Sequence, residues 1–93
     1  MNDNKNAEAL DNWAINPGSF LSEYGIDTAL FIQGEVDGKK IKTDILLWFD
    51  PDSRIAMTTN KIFHVREPDK VWLSSLLASG NSIYDLKMTG TNH

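Results

Sequence analysis

One dipeptide restricts the fold more than any other feature of the sequence: Asp37-Gly38, which separates two β-rich runs, 29–36 and 39–49. Aspartate followed by glycine tolerates the positive φ angles that a two-residue type I′ hairpin turn requires. We therefore predict an antiparallel hairpin with Asp37 and Gly38 as its central turn residues. That turn sets the cross-strand pairs: Val36 with Lys39, Glu35 with Lys40, Gln33 with Lys42, Ile32 with Thr43, Phe31 with Asp44 and Leu30 with Ile45.

This register divides the apolar residues of the hairpin between two faces, because side chains alternate along a strand. The expected core face collects Leu30, Ile32, Thr43, Ile45 and Leu47. The opposite face is charged near the turn and apolar farther along, where it carries Phe31, Leu46 and Trp48. If both predicted helices pack on one face, these three residues form an exposed patch; if one helix covers each face, no patch remains.

Apolar periodicity and turn residues divide the rest of the chain into further elements. They predict a helix over 6–15 capped by Asn6, a helical turn over 20–24 ended by Gly25, a strand over 54–58, and a helix from Glu67-Pro68-Asp69 to Ala78. Residues 62–66 fit a fourth strand or a bulged continuation of the third, and residues 83–88 fit a closing strand or a helix. The predicted fold class is therefore α+β, with an antiparallel sheet of three to five strands, an N-terminal helix and a C-terminal helix.

The length of 93 residues suits one domain. We assign residues 6–88 to that single α+β domain and interpret residues 1–5 and 89–93 as disordered ends. The longest apolar run, residues 45–49, is too short to span a membrane, and the polar first residues do not resemble a secretion signal. The expected compartment is the cytoplasm, with which the absence of cysteine is compatible.

The composition offers little material for catalysis. With no cysteine, the chain has no thiolate nucleophile, iron–sulfur cluster or cysteine-bound zinc. Of its two histidines, only His64 lies within a predicted element, and a lone histidine beside Lys61 and Arg66 is typical of a surface residue. The glycines are scattered and form no phosphate-binding loop. We therefore expect no catalytic residues, no metal site and no cofactor.

The charge distribution favours a binding role. The net charge is −4, and residues 1–36 carry six acidic residues and one basic residue. We predict a non-enzymatic protein-binding module, such as an inhibitor, an immunity-type protein or an adaptor, that docks on an unidentified partner protein. The predicted interface consists of Glu8, Asp11, Glu23 and Asp27 for a basic partner surface, and of Phe31, Leu46 and Trp48 for a homodimer contact.

A nucleic-acid-binding module is the alternative function. Residues 37–66 carry six basic and four acidic residues, so this segment has a net positive charge within an acidic chain. The candidate phosphate-binding residues are Lys39, Lys40, Lys42, Arg54, Lys61 and Arg66. The overall acidity opposes binding to a phosphate backbone, so nucleic acid is the less favoured partner.

Overall fold

The computed structural model describes residues 7–88. Its strands are β1 (Glu8–Ser22), β2 (Gly25–Val36), β3 (Lys39–Lys40), β4 (Asp44–Asp50), β5 (Ile55–Thr58) and β6 (Ile62–Val65). Helix α1 spans Lys70–Ala78, and a 3-10 helix spans Ile83–Leu86. The predicted disordered ends, 1–5 and 89–93, and the predicted cap Asn6 lie outside the described residues.

Five of the strands close into a barrel. The strand order is β1-β6-β5-β4-β2, and β2 pairs again with β1 to complete the ring. Strands of the ring that follow one another in the chain run antiparallel, so β1 and β6, the first and last of these five strands in the chain, run in the same direction. The β1–β6 pair that closes the barrel is therefore parallel, and it is short, with Glu8 opposite Phe63 and Leu10 opposite Val65. The two-residue β3 extends the sheet beside β2.

The α+β prediction is wrong, because the N-terminal quarter of the chain is strand and not helix. Residues 8–22 form the single long strand β1, which occupies 8–15 of the predicted helix over 6–15 and 20–22 of the predicted helical turn over 20–24. A register shift lies between Asp11 and Ala14, where Asn12 has a φ of 49°. This bulge turns both Leu10 and Trp13 into the core. A spacing of three between buried residues imitates one helical turn.

The predicted Asp37-Gly38 hairpin is present, but its register holds only near the turn. Val36 pairs with Lys39 and Glu35 with Lys40, as predicted. Farther along, Phe31 pairs with Ile45 and Ile32 with Asp44, one residue away from the predicted pairs. The extra residue is absorbed over 41–43, between β3 and β4. A one-residue slip exchanges the two faces of a strand, so Leu46 is buried and Leu47 is 50% exposed.

The core is aromatic and lies inside the barrel and under α1. The ring of Trp13 lies 5.4 Å from that of Phe49 and 5.3 Å from that of Trp72. Both indoles also donate hydrogen bonds, Trp13 Nε1 to the carbonyl of Arg66 (3.1 Å) and Trp72 Nε1 to that of Ile15 (3.0 Å). These contacts fix α1 against β1.

The C-terminal third matches the sequence prediction more closely. Residues 62–65 form a separate strand, β6, which pairs antiparallel with β5. The predicted C-terminal helix is present as α1, and the carboxylate of Asp69 caps it by accepting a hydrogen bond from the backbone N–H of Trp72 (2.9 Å). Residues 83–86 form a 3-10 helix, after which the N–H of Met88 donates to the carbonyl of Phe49 on β4 (2.9 Å). Within residues 7–88, no helix is both long enough and apolar enough to cross a membrane.

Candidate binding surface

The first two strands continue beyond the barrel as a two-stranded arm. We define the arm as residues 17–22 of β1, residues 25–30 of β2 and the turn Glu23-Tyr24 between them. Among the described residues, β6 pairs with β1 only at 8–10, and β4 pairs with β2 only at Phe31 and Ile32. The arm therefore has no third strand beside it.

The tip of the arm carries three large apolar side chains in solvent. Leu21 is 82% exposed, Tyr24 is 88% exposed and Ile26 is 78% exposed. Leu21 and Ile26 are directly opposite one another across the two strands, and Tyr24 occupies the turn that joins them. Exposed apolar residues that cluster in this way mark interaction sites more often than single ones do. We call Leu21, Tyr24 and Ile26 the tip cluster.

A hydroxyl group organises the turn at the tip. Ser22 Oγ accepts a hydrogen bond from the backbone N–H of Tyr24 (3.2 Å) and donates one to Asp27 Oδ2 (2.8 Å). Gly25 follows with a φ of 117°, a conformation that side-chain-bearing residues rarely adopt. These constraints hold the turn in one shape, which reduces the entropy that binding would otherwise cost.

The arm carries two carboxylates: Glu23 is in the turn beside the tip cluster, and Asp27 is on β2, on the face of the arm opposite to Leu21 and Ile26. Both are exposed. The sequence contains no lysine or arginine between Lys5 and Lys39, so no basic residue of the arm offsets them. The tip is therefore apolar at its centre and negatively charged beside it. Both acids belong to the interface predicted from the sequence, and their role in binding stays a prediction.

The predicted contact of Phe31, Leu46 and Trp48 does not form an exposed patch. Leu46 is only 4% exposed and belongs to the core, because the register slip turned it inward. Phe31 and Trp48 are half-buried. The ring of Phe31 lies edge-on to Phe20, with centroids 6.5 Å apart, and covers Gly18 at the base of the arm. Phe31 thus supports the arm and leaves little surface for a partner.

The other two predicted interface acids are engaged within the barrel. Glu8 Oε1 forms an ion pair with Lys61 Nζ (2.6 Å), and both oxygens of Asp11 accept hydrogen bonds from Arg66 at 2.7 Å. The hydrogen bond from the guanidinium lowers the pKa of the Asp11 carboxyl and raises the pKa of Arg66. Both pairs join β1 to the residues that flank β6, Lys61 before it and Arg66 after it, at the barrel's closing seam.

The same ion pairs divide the candidate nucleic-acid surface. Lys61 and Arg66 are each neutralised by a carboxylate, as just described. Lys39, Lys40, Lys42 and Arg54 are exposed, but they lie on β3, on the segment after it and on the loop before β5. Lys40 also pairs across the strands with Glu35. Nucleic-acid binding therefore stays a prediction, with fewer free cations to support it.

Asp44 organises a different part of the barrel, which the sequence did not reveal. Its carboxylate accepts hydrogen bonds from Thr59 Oγ1 (2.8 Å), Asn60 Nδ2 (2.9 Å) and the backbone N–H of Ile45 (2.8 Å). Partial burial raises the pKa of Asp44, but these hydrogen bonds outweigh it and leave the pKa below its usual value. The side chain ties the turn between β5 and β6 to the start of β4.

The tip cluster was also missed, because residues 20–24 were assigned to a helix. Gly25 is a signal present in the sequence: it has a positive φ and follows a hairpin turn, where the sequence analysis places the end of a helical turn. Apolar residues on both sides of a short polar turn are typical of a hairpin.

The chain was compared with models of protein families, with curated proteins and with solved structures, and none of them matched.

Proposed function

We propose that this protein is a non-enzymatic binding module that docks on a partner protein through the tip of its β1–β2 arm. The observation that carries the proposal is the tip cluster, three large apolar side chains at 78–88% exposure on a turn held in one shape by hydrogen bonds. Leaving such side chains in water gives no stability to the free protein. A partner pocket that buries them gains about 1.5–3 kcal/mol for each aliphatic side chain.

The chemistry of the tip specifies the kind of partner. Glu23 lies in the turn beside the apolar cluster, Asp27 lies on the opposite face of the arm, and the arm has no basic residue. The complementary surface is an apolar socket bordered by lysine or arginine. Charge complementarity of this type raises the association rate more than the final affinity, and salt screens it. Binding to the partner should therefore slow as ionic strength rises.

A photo-crosslinking experiment can identify the partner. A photoreactive phenylalanine analogue replaces Tyr24 in the full chain, and a second bait carries the same analogue at Val71 on α1. Val71 is 77% exposed and lies on α1, outside the arm, so it controls for nonspecific contacts. The proposal requires a protein that crosslinks at position 24 and not at position 71.

Purified partner then tests the energetics. The double variant Leu21→Ala/Ile26→Ala should weaken binding by about 100-fold, which corresponds to the loss of roughly 3 kcal/mol from two interface anchors. The matched variant Val71→Ala should bind as the wild type does. Equal loss in both variants, or full binding by the tip variant, would refute docking through the arm.

For the compartment, the cytoplasm remains our proposal, on the composition argument given above. Fractionation of cells that express the tagged chain tests it, and recovery from a membrane or secreted fraction would contradict it.

A further inference from the structure

The outer edge of β2 in the arm, residues 25–30, has no neighbouring strand among the described residues. Unpaired strand edges bind other strands readily, and proteins usually protect them with proline, lysine or a bulge. This edge has none of these: residues 25–30 read Gly-Ile-Asp-Thr-Ala-Leu and pair with β1 without a register shift. The opposite edge of the arm contains Pro17, which has no N–H to donate. The arm therefore has one edge suited to strand addition.

We infer that β2 of a second copy of this chain adds to this edge, forming a symmetric antiparallel dimer. In a register centred on Thr28, Thr28 lies opposite itself, Ile26 lies opposite Leu30 of the second copy, and Asp27 lies opposite Ala29 of the second copy. Apolar residues then meet apolar residues, and no like charges face one another. Centring the register on Asp27 would place two carboxylates directly opposite, so the Thr28 register is favoured.

Dimer formation and partner docking depend on different groups of the arm, although Ile26 takes part in both contacts. The dimer is held by the backbone edge of β2, whereas the partner would bind the tip side chains on the face of the arm. The inference of a dimer and the proposal of partner docking can each be true if the other is false. Pairing would also join two arms into one four-stranded sheet, with Leu21, Ile26 and Leu30 of both copies on one face, since these positions share a face in each arm.

Charge gives the dimer a recognisable salt dependence. Each copy carries a net charge of −4, so two copies repel at low ionic strength. Added salt screens this repulsion and should tighten the dimer. Docking on a basic partner shows the opposite trend. The shared segment is only about five residues per copy, which places the interface below the size of stable complexes and predicts a weak dimer.

Analytical ultracentrifugation of the full chain tests the inference between about 10 μM and about 1 mM, the range in which weak interfaces dissociate. The apparent mass should rise from 10.5 kDa towards twice that value, and rise further at high salt. Thr28→Lys places two ammonium groups opposite each other and should raise the dissociation constant by about tenfold. Ser19→Lys is the matched control, because Ser19 is the exposed cross-strand neighbour of Thr28 on β1 and receives the same charge.

A wild-type mass of 10.5 kDa at every concentration would overturn the inference. So would a dimer that Ser19→Lys weakens as much as Thr28→Lys does, since the contact would then involve the face of the arm. Amide chemical shifts of the wild-type chain provide a measurement that needs no variant. Ile26, Thr28 and Leu30 should shift with concentration, and a dimer whose concentration-dependent shifts lie elsewhere would refute pairing at this edge.

Discussion

Gly34→Ala tests how β1 and β2 pack in the barrel, at the bulge of β1 between Asp11 and Ala14. Gly34 is buried, and a Cβ atom there would lie 2.8 Å from both Cγ and Cδ1 of Leu10 and 2.9 Å from the backbone oxygen of Asp11. Leu10 is fully buried, and the Asp11 carbonyl belongs to the bulged segment of β1. Neither obstacle can move without disturbing the core, so the variant should be strongly destabilised.

The size of the effect follows from two opposing contributions. Overpacking a well-packed core costs about 1–3 kcal/mol. Replacing glycine by alanine also restricts the unfolded chain, which offsets about 0.4–1 kcal/mol of that cost. With the obstacle partly backbone, we expect a net loss of about 2 kcal/mol in the free energy of unfolding. For a domain of this length, that loss lowers the melting temperature by about 8–16 °C.

Thermal and urea unfolding, followed by circular dichroism, measure this loss. Gly18→Ala is the control, because its Cβ would also lie 2.8 Å from its nearest neighbours, Cδ1 and Cε1 of Phe31. Phe31 is half-buried and its ring can swing towards solvent, so Gly18→Ala should cost less than about 1 kcal/mol. In the double variant Gly34→Ala/Leu10→Ala the clash is relieved. Its loss of unfolding free energy should therefore be smaller than the sum of the losses of the two single variants. A melting temperature for Gly34→Ala equal to that of Gly18→Ala would refute the packing argument.

Three further predictions test the core, the register and the carboxylates. Leu46→Asp should prevent folding and Leu47→Asp should be tolerated, as judged by circular dichroism; the reverse would contradict the observed register of β4. Trp72→Phe removes the indole donor to the carbonyl of Ile15 on β1 and should lower the free energy of unfolding in urea by about 1–2 kcal/mol; an unchanged value would contradict the role of this hydrogen bond. The pKa values of Asp11 and Asp44 are lowered by folding, so these carboxylates stabilise the protein above the ordinary aspartate range and lose that effect as pH falls. The melting temperature of the wild type should therefore fall on acidification, and that of the double variant Asp11→Asn/Asp44→Asn should fall less. Equal dependence of the two melting temperatures on pH would contradict this.

The local elements of the fold were predictable where their signals act over a few residues. The Asp37-Gly38 turn fixes its first two cross-strand pairs by backbone geometry alone, and Asp69 caps α1 through one hydrogen bond. The bulge near Asn12 was not predictable, because it depends on β1 pairing with β6 on one side and with β2 on the other. Those partners are distant in sequence, and the bulge made a strand look helical.

The candidate site shows the same division. The charge count distinguishes residues 1–36 as acidic, and the structure places two acids of that segment, Glu23 and Asp27, on the arm; their part in binding stays a prediction. The exposure of Leu21 and Ile26 was not predictable, because it depends on the tertiary structure: β4 pairs with β2 only at Phe31 and Ile32 and does not continue along the arm. Likewise, only the folded chain brings Glu8 to Lys61 and Asp11 to Arg66 across more than fifty residues.

The parallel seam between β1 and β6 also governs the order in which the molecule is made. Glu8 meets Phe63, so the ring cannot close until most of the chain has left the ribosome. The antiparallel pairs, including β1 with β2, join neighbours in sequence and can assemble earlier, since short loops close at the lowest entropic cost. During synthesis, β1 can therefore pair early with β2, while its other edge waits for β6. The pairing of β6 with β1 is the step that closes the nascent barrel.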